Sequence, residues 1–367
     1  MQWKTLVAAG TAVAALCLAG CGASNGADKP SSSEPSADWF PTAVTVWPKQ
    51  GFDSEGVEQE YSPTDDVSKA WNICASFPHL ADAYWLAADY GVIQEAERAG
   101  VNMDVLEAGG YGNLDKQIQQ IEDCAQNSDA VIIGAISTDG LNPTIEKLKA
   151  DGKVVIDFIN GVSSPDTTAQ SLVSYREIAS QTAQYLLDTS DGEAVTVAWF
   201  PGPKGAGFAE EANKGFTETL AGTNVEVVNT QWGNTDKDSQ SKLIEDALAA
   251  NPDLDYIAGN APAAEAAGPI LRDRDLTDSI GVLSYYMTPG TYSGIQTGSV
   301  LASAADPAVL TSRIATDLAI RALEKQDFDL HVAPALQVID KAALESWDST
   351  TTLAPTDWSA EFSYSAN

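Results

Sequence analysis

Along residues 71–111 the spacing of apolar positions changes twice. WNICASF (71–77) is a short, nearly continuous apolar run, PHLADAYWLAADYGVIQEAERAG (78–100) is a long stretch at helical spacing, and VNMDVLEAGG (101–110) is strand-like again. A strand without polar alternation is one covered on both faces, so this unit reads as β-α-β in a parallel sheet layered by helices. The alternation continues with a helix over 114–127, a strand over 129–136, a helix over 142–152, a strand over 153–160 and, after a polar turn, a short strand over 171–175. Ile118, Ile121 and Cys124 fall on one helix face, as a layer over a sheet requires. A second series then predicts helix 177–190, strand 193–202, helix 207–222, strand 225–233, helix 237–252, strand 255–260, helix 262–275 and strand 280–287. Strand 298–306, helix 307–326 and strand 331–340 follow. Two consecutive α/β halves joined by several crossings predict two hinged lobes.

The ends of the chain do not share this pattern. Residues 1–20 combine one positive charge at Lys4 with a short apolar run, too short for a spanning helix, and read as an export signal. Leu18-Ala19-Gly20-Cys21 ends it in the manner of a lipobox, which predicts lipidation of Cys21 and a lipid anchor at the extracytoplasmic face of the cell membrane. Residues 21–38 contain no apolar residue larger than alanine apart from Cys21 and are expected to be a disordered tether. An arm over 39–70 precedes the first lobe. The expected division is 71–174 with 303–330 for lobe 1, 175–302 with 331–345 for lobe 2, and a tail over 346–367.

Composition narrows the function. Lys and Arg number 20 against 52 Asp and Glu, a formal net charge of −32, which excludes the clustered basic surface that nucleic acid requires. GPKGAG (202–207) lacks the Lys-Ser/Thr pair of a P-loop, and EAGGYGN (107–113) lacks the G-x-G-x-x-G spacing, so no nucleotide cofactor is expected. His79 and His331 are the two histidines and no G-x-S-x-G elbow occurs, so neither a metal site nor catalysis is expected. Outside the signal and the lipobox the cysteines are Cys74 and Cys124. These are either a disulfide, which an exported compartment permits, or two buried thiols.

In a parallel α/β sheet the ligand crevice lies at the carboxyl ends of the strands. That edge carries Ser76, Tyr84 and Trp85 after the first strand of lobe 1, Tyr111 after the second and Asn160 after a later one. Tyr175 stands where the chain leaves lobe 1, and Asn260, Tyr285 and Tyr286 follow strands of lobe 2. Packing of the helix onto its sheet is the plain alternative for Tyr84 and Trp85. Aromatic faces arriving from separate segments can hold a methylated cationic nitrogen at about 1–2 kcal/mol per desolvated contact. Backbone N–H groups at the start of the Tyr84 helix are candidates for an anionic oxygen of the same ligand. A sugar would instead call on Asp157, Asn160, Arg176 and Asn260 to pair its hydroxyls.

ICASFPHLADAYWLAADYG (73–91), VLEAGGY (105–111), FPGPKGAG (200–207), IAGNAPAAEAA (257–267) and VLSYY (282–286) together resemble the TorT family of periplasmic binding proteins, which bind trimethylamine N-oxide. The resemblance implies a type I periplasmic binding protein fold, two Rossmann-like lobes joined by a multi-strand hinge, with an aromatic cage for the trimethylammonium group. On that basis Tyr84 and Trp85 match the first cage aromatics and Tyr286 the second-lobe tyrosine. Tyr175 stands where the family has tryptophan, its V-P-W-F reading VSYR here, which implies an altered specificity. Cys74 and Cys124 match a cysteine pair of the family. The family's partner is a membrane sensor kinase, whereas the lipobox points to the receptor of an ABC importer and its permease. The expectation is therefore a monomeric, non-enzymatic, lipid-anchored receptor for a methylated amine or amine oxide, serving an importer. A kinase partner, or a sugar ligand, is the alternative.

Overall fold

The computed structural model describes residues 39–366, so the export signal, the lipidation at Cys21 and the tether lie outside the described residues. The first lobe opens with strands β1 (Thr42–Trp47), β2 (Val57–Tyr61) and β3 (Asn72–Phe77), followed by helix α1 (Ala83–Ala99). It continues through β4 (Asn102–Glu107), α2 (Leu114–Ala125), β5 (Ala130–Ile133), α3 (Asn142–Ala150), β6 (Val154–Phe158) and β7 (Ala169–Ser171). The second lobe contributes α4 (Tyr175–Ser190), β8 (Val195–Gly202), α5 (Gly207–Leu220), β9 (Val225–Trp232), α6 (Lys237–Ala250) and β10 (Tyr256–Gly259). After these come α7 (Ala261–Asp273), β11 (Gly281–Ser284), α8 (Pro289–Thr297) and β12 (Ala302–Ala305). The chain returns with α9 (Ala308–Glu324) and ends in β13 (His331–Pro334), β14 (Gln337–Asp340) and β15 (Ser363–Tyr364).

Two sheets result. One is nine-stranded in the order β15-β4-β3-β5-β6-β7-β13-β1-β2, the other six-stranded in the order β14-β12-β11-β10-β8-β9. Their centres are parallel, and β1, β2, β14 and β15 join antiparallel at the edges. Each central strand is buried over most of its length, as its apolar run predicts. Cys74 in β3 is bonded to Cys124 in α2, with 6.5 Å between their Cα atoms.

The lobes are joined at three crossings: β7 to α4, β12 to α9, and β13 to β14. The last of these corrects the expected division, which gave 331–345 to lobe 2. His331–Pro334 pairs with β7 and β1 in the first sheet, and only Gln337–Asp340 pairs with β12 in the second. The run over 331–340 reads as one strand because both halves are apolar, yet Pro334 lacks the N–H that would extend a ladder through it. The boundary set between 302 and 303 also moves, since all of Ala302–Ala305 belongs to the second sheet.

Helix α8 was not expected from its Gly- and Thr-rich sequence. Its ends account for it: Thr288 and Thr291 form a reciprocal capping box, Pro289 fills the first turn, and Gly298 closes the helix at φ +83°, each in the position where its backbone chemistry suits a helix terminus.

Candidate ligand-binding site

Helix α1 begins late relative to its apolar pattern because Asp82 caps it, its carboxylate accepting from the Trp85 N–H at 2.9 Å. This places Tyr84 and Trp85 in the first turn, directly beyond the carboxyl end of β3. Trp85 is 2 % exposed, its ring 5.5 Å from that of Phe77 and 6.2 Å from that of Phe158. Gly134, at the end of β5, makes room for it: a Cβ there would stand 2.8 Å from Trp85 Cη2.

Asp82, Tyr84, Trp85, Tyr111 and Asn160 of the first lobe, with Tyr175, Phe208, Thr235 and Tyr286 from the second, line a cavity with about 20 Å³ of free space. Aromatic contacts tie its two sides together, Tyr84 to Tyr286 at 5.3 Å and Tyr111 to Phe208 at 5.6 Å between ring centroids, while Tyr175 packs 5.7 Å from Phe208 within the second lobe. That free space is room for about one water, so the rings must part to admit a ligand. The cavity meets a larger cleft of about 730 Å³ that shares Asp82, Tyr111, Thr235 and Tyr286 and adds His79, Asp236, Lys237 and Glu265.

Behind the rings lies Asp306, fully buried at the β12 to α9 crossing. Its Oδ2 accepts from the Tyr84 hydroxyl at 2.6 Å and the Tyr175 hydroxyl at 2.9 Å, while the two hydroxyls are 2.9 Å from each other. Its Oδ1 has no hydrogen-bond partner among the described residues. Burial raises the Asp306 pKa to about 6, against the opposing pull of the two tyrosine hydrogen bonds. Burial likewise pushes the Tyr84, Tyr175 and Tyr286 hydroxyls well above their usual range, so they stay protonated. Burial also raises Asp82, while the His79 charge and the backbone hydrogen bonds of α1 pull it down.

Of the residues expected at the crevice, Tyr84, Trp85, Tyr111, Asn160, Tyr175 and Tyr286 come together. Ser76 and Asn260 do not. The Ser76 side chain is fully buried beneath the crevice and accepts from Gln117 Nε2 at 3.3 Å. Asn260 caps α7, accepting from the Ala263 N–H at 3.0 Å and donating to the Phe200 carbonyl at 2.9 Å. Tyr285 is a packing residue, buried 5.4 Å from Trp199 with its hydroxyl donating to the Pro201 carbonyl. The expected anion site at the start of α1 is also corrected, since the Asp82 carboxylate occupies that helix end. Tyr111 is better placed to donate to a ligand oxygen: its hydroxyl accepts from Asn160 Nδ2 at 3.0 Å, leaving its own proton for the cavity. Phe208, Asp82, Thr235 and Asp306 were not singled out. Phe208 occupies the first turn after a carboxyl strand end, as Tyr84 does, so the same positional rule finds it.

A family model for the periplasmic binding protein domain matches residues 73–327. The periplasmic protein TorT of Escherichia coli K12 is 34 % identical over 274 residues, covering 74 % of this chain and 79 % of that protein. Among solved structures, an ABC transporter solute-binding protein of Bradyrhizobium sp. BTAi1 with bound bis-tris is 45 % identical, covers 89 % of this chain and 99 % of that one, and superposes with a TM-score of 0.79. TorT in its complex with the TorS sensor domain, in the presence of TMAO, is 28 % identical with a TM-score of 0.72, covering 80 % of this chain and 99 % of that one. The fold, the interlobe cavity and these matches agree: the chain belongs to the periplasmic binding proteins, non-catalytic solute-binding proteins of the type I fold, as a TorT-like member.

Proposed function

We propose that this protein is an extracytoplasmic receptor that holds a small methylated amine or amine oxide among Tyr84, Trp85, Tyr111, Tyr175, Phe208 and Tyr286. The observation that carries this reading is an aromatic cavity drawn from both lobes with the Asp306 carboxylate directly behind two of its rings. Ring faces and a buried carboxylate favour a cationic nitrogen without requiring it to donate a hydrogen bond. The sugar alternative loses most of the polar residues it needed. Asp157 is held by the Val162 N–H and Gln170, Arg176 pairs with Glu218 at the surface, and Asn260 caps a helix. The bis-tris of the Bradyrhizobium structure is itself a hydroxylated amine, and the TMAO of the TorS–TorT structure an amine oxide.

For the partner we favour a membrane sensor kinase over an importer, because the curated relative at 34 % identity is TorT and TorT is seen bound to a TorS sensor domain. The importer reading rests on the Bradyrhizobium protein and on the lipobox at Cys21, and the proposed lipid anchor serves either partner.

Titration calorimetry with trimethylamine N-oxide, betaine, choline and a panel of sugars tests the ligand. Binding of a methylated amine that disappears in Trp85→Ala is the expected result. Sugar binding with no response to any amine ends the cage reading. Loaded protein that stimulates kinase autophosphorylation supports the sensor partner, whereas stimulation of a transporter ATPase instead supports import.

A further inference from the structure

A second cavity lies apart from the aromatic cage and shares no residue with it or with its cleft. It offers about 680 Å³ between α1, α8, α9, the start of the arm and the segment 348–356. Its walls include Trp39, Tyr90, Tyr292, Leu310 and Leu353, and among them stands Arg313. Arg313 is 3 % exposed and its Nη1 is buried with no hydrogen-bond partner among the described residues. Its guanidinium carbon sits 5.9 Å from the Trp39 ring centroid and 5.8 Å from that of Tyr90. The carboxylates nearby are already engaged. Glu95 accepts from Arg98 and from Trp39 Nε1, and the Oδ1 of Asp348, on the cavity wall, accepts from the Thr350 N–H and hydroxyl.

A buried cation is ordinarily paired, because desolvating it without an acceptor is costly. The Trp39 and Tyr90 rings and the Glu95 charge offset part of that cost without pairing Nη1. A buried guanidinium on the wall of a cavity, with Nη1 unpaired among the described residues, offers the planar fork that a carboxylate matches. We propose that this cavity is a second binding site, for a small organic monoanion whose carboxylate pairs with Arg313 and whose apolar body lies against Trp39, Tyr90, Leu310 and Leu353. The single cation, with the Asp348 carboxylate also on the wall, favours a monoanion over the more highly charged inorganic phosphate.

Titration calorimetry of the full chain with benzoate, and separately with inorganic phosphate, tests the site. Saturable benzoate binding is expected, weakened at least about tenfold in Arg313→Gln and unchanged in Trp85→Ala, which separates this site from the cage. Ala354→Phe fills the cavity from a half-buried position and is expected to abolish benzoate binding while leaving the thermal melt intact. This second variant keeps the test sound should Arg313→Gln fold poorly. Absence of benzoate binding, benzoate binding that survives both variants, or tighter binding of phosphate than of benzoate would each overturn the proposal.

Discussion

Replacing Asp306 by Asn removes a buried negative charge while preserving the shape that positions two cage tyrosines. The amide oxygen can still accept from Tyr84 and Tyr175, which stand 2.6 and 2.9 Å from Oδ2. The new NH₂ would take the place of Oδ1, which has no partner to lose. Its unpaired donors cost about 1–3 kcal/mol. Against this, holding the native carboxylate ionised at neutral pH, with its pKa at about 6 instead of the usual 3.8, costs about 3 kcal/mol, so the fold is expected to tolerate the change. Ligand affinity is expected to respond differently. A cation on the ring faces would sit roughly 7 Å from the carboxylate, where an effective dielectric near 20 gives about 2 kcal/mol, or some thirtyfold in Kd. Calorimetry should therefore show choline weakened by about that factor, and net-neutral trimethylamine N-oxide weakened much less. In the native protein choline affinity should rise with pH through about 6, as Asp306 deprotonates, and the Asn variant should lose that dependence. A variant that melts like the native protein and binds choline just as well would refute the assignment of Asp306 as counter-charge.

Gly207 begins α5 where a Cβ would stand 2.4 Å from Thr138 Oγ1 of the other lobe; Gly207→Leu should prop the lobes apart, seen as a larger radius of gyration by small-angle scattering and weaker ligand binding. Gly134→Ala intrudes on the Trp85 ring from beneath and should weaken methylated-amine binding with a smaller effect on the melt. Burial raises Asp157 to about 7 and Glu95 to about 7, so the folded state binds these protons more tightly than the unfolded chain does. Their contribution to stability is full below the ordinary carboxylate range and is lost as pH rises through about 7; thermal melts should show that loss, and Asp157→Asn should reduce it. Reducing the Cys74–Cys124 bond, which closes a loop with a sequence separation of 50, should lower stability by about 4 kcal/mol in the loop-entropy account, measurable by denaturant unfolding with and without reductant.

What the sequence made legible follows from where it carries periodic information. The buried strands announce themselves because residues such as Ile73, Val131 and Ile156 sit in unbroken apolar runs, and the cage aromatics are conspicuous because they stand at strand ends where packing alone does not call for them. Asp306 was hidden for the opposite reason. In a chain with 52 acidic residues one more aspartate after a strand carries no signal, and its role appears only when two tyrosines distant in sequence converge on it. Of the hinge, the crossings near Tyr175 and after Ala302–Ala305 were legible as returns between two α/β halves, whereas the one from β13 to β14 was not, because hydrophobic pattern reports burial and is silent about which sheet a strand enters. Asp306 and the two legible crossings coincide in space. Asp306 occupies the crossing from β12 to α9, and Tyr175 begins α4 just after the crossing from β7. The Tyr84 hydroxyl from the first lobe thus meets both crossings through a single carboxylate oxygen. A cation that draws on the Asp306 charge therefore acts on the atoms that join the lobes. This gives ligand charge a direct physical route to the interlobe angle, the quantity that a membrane partner of either kind would read.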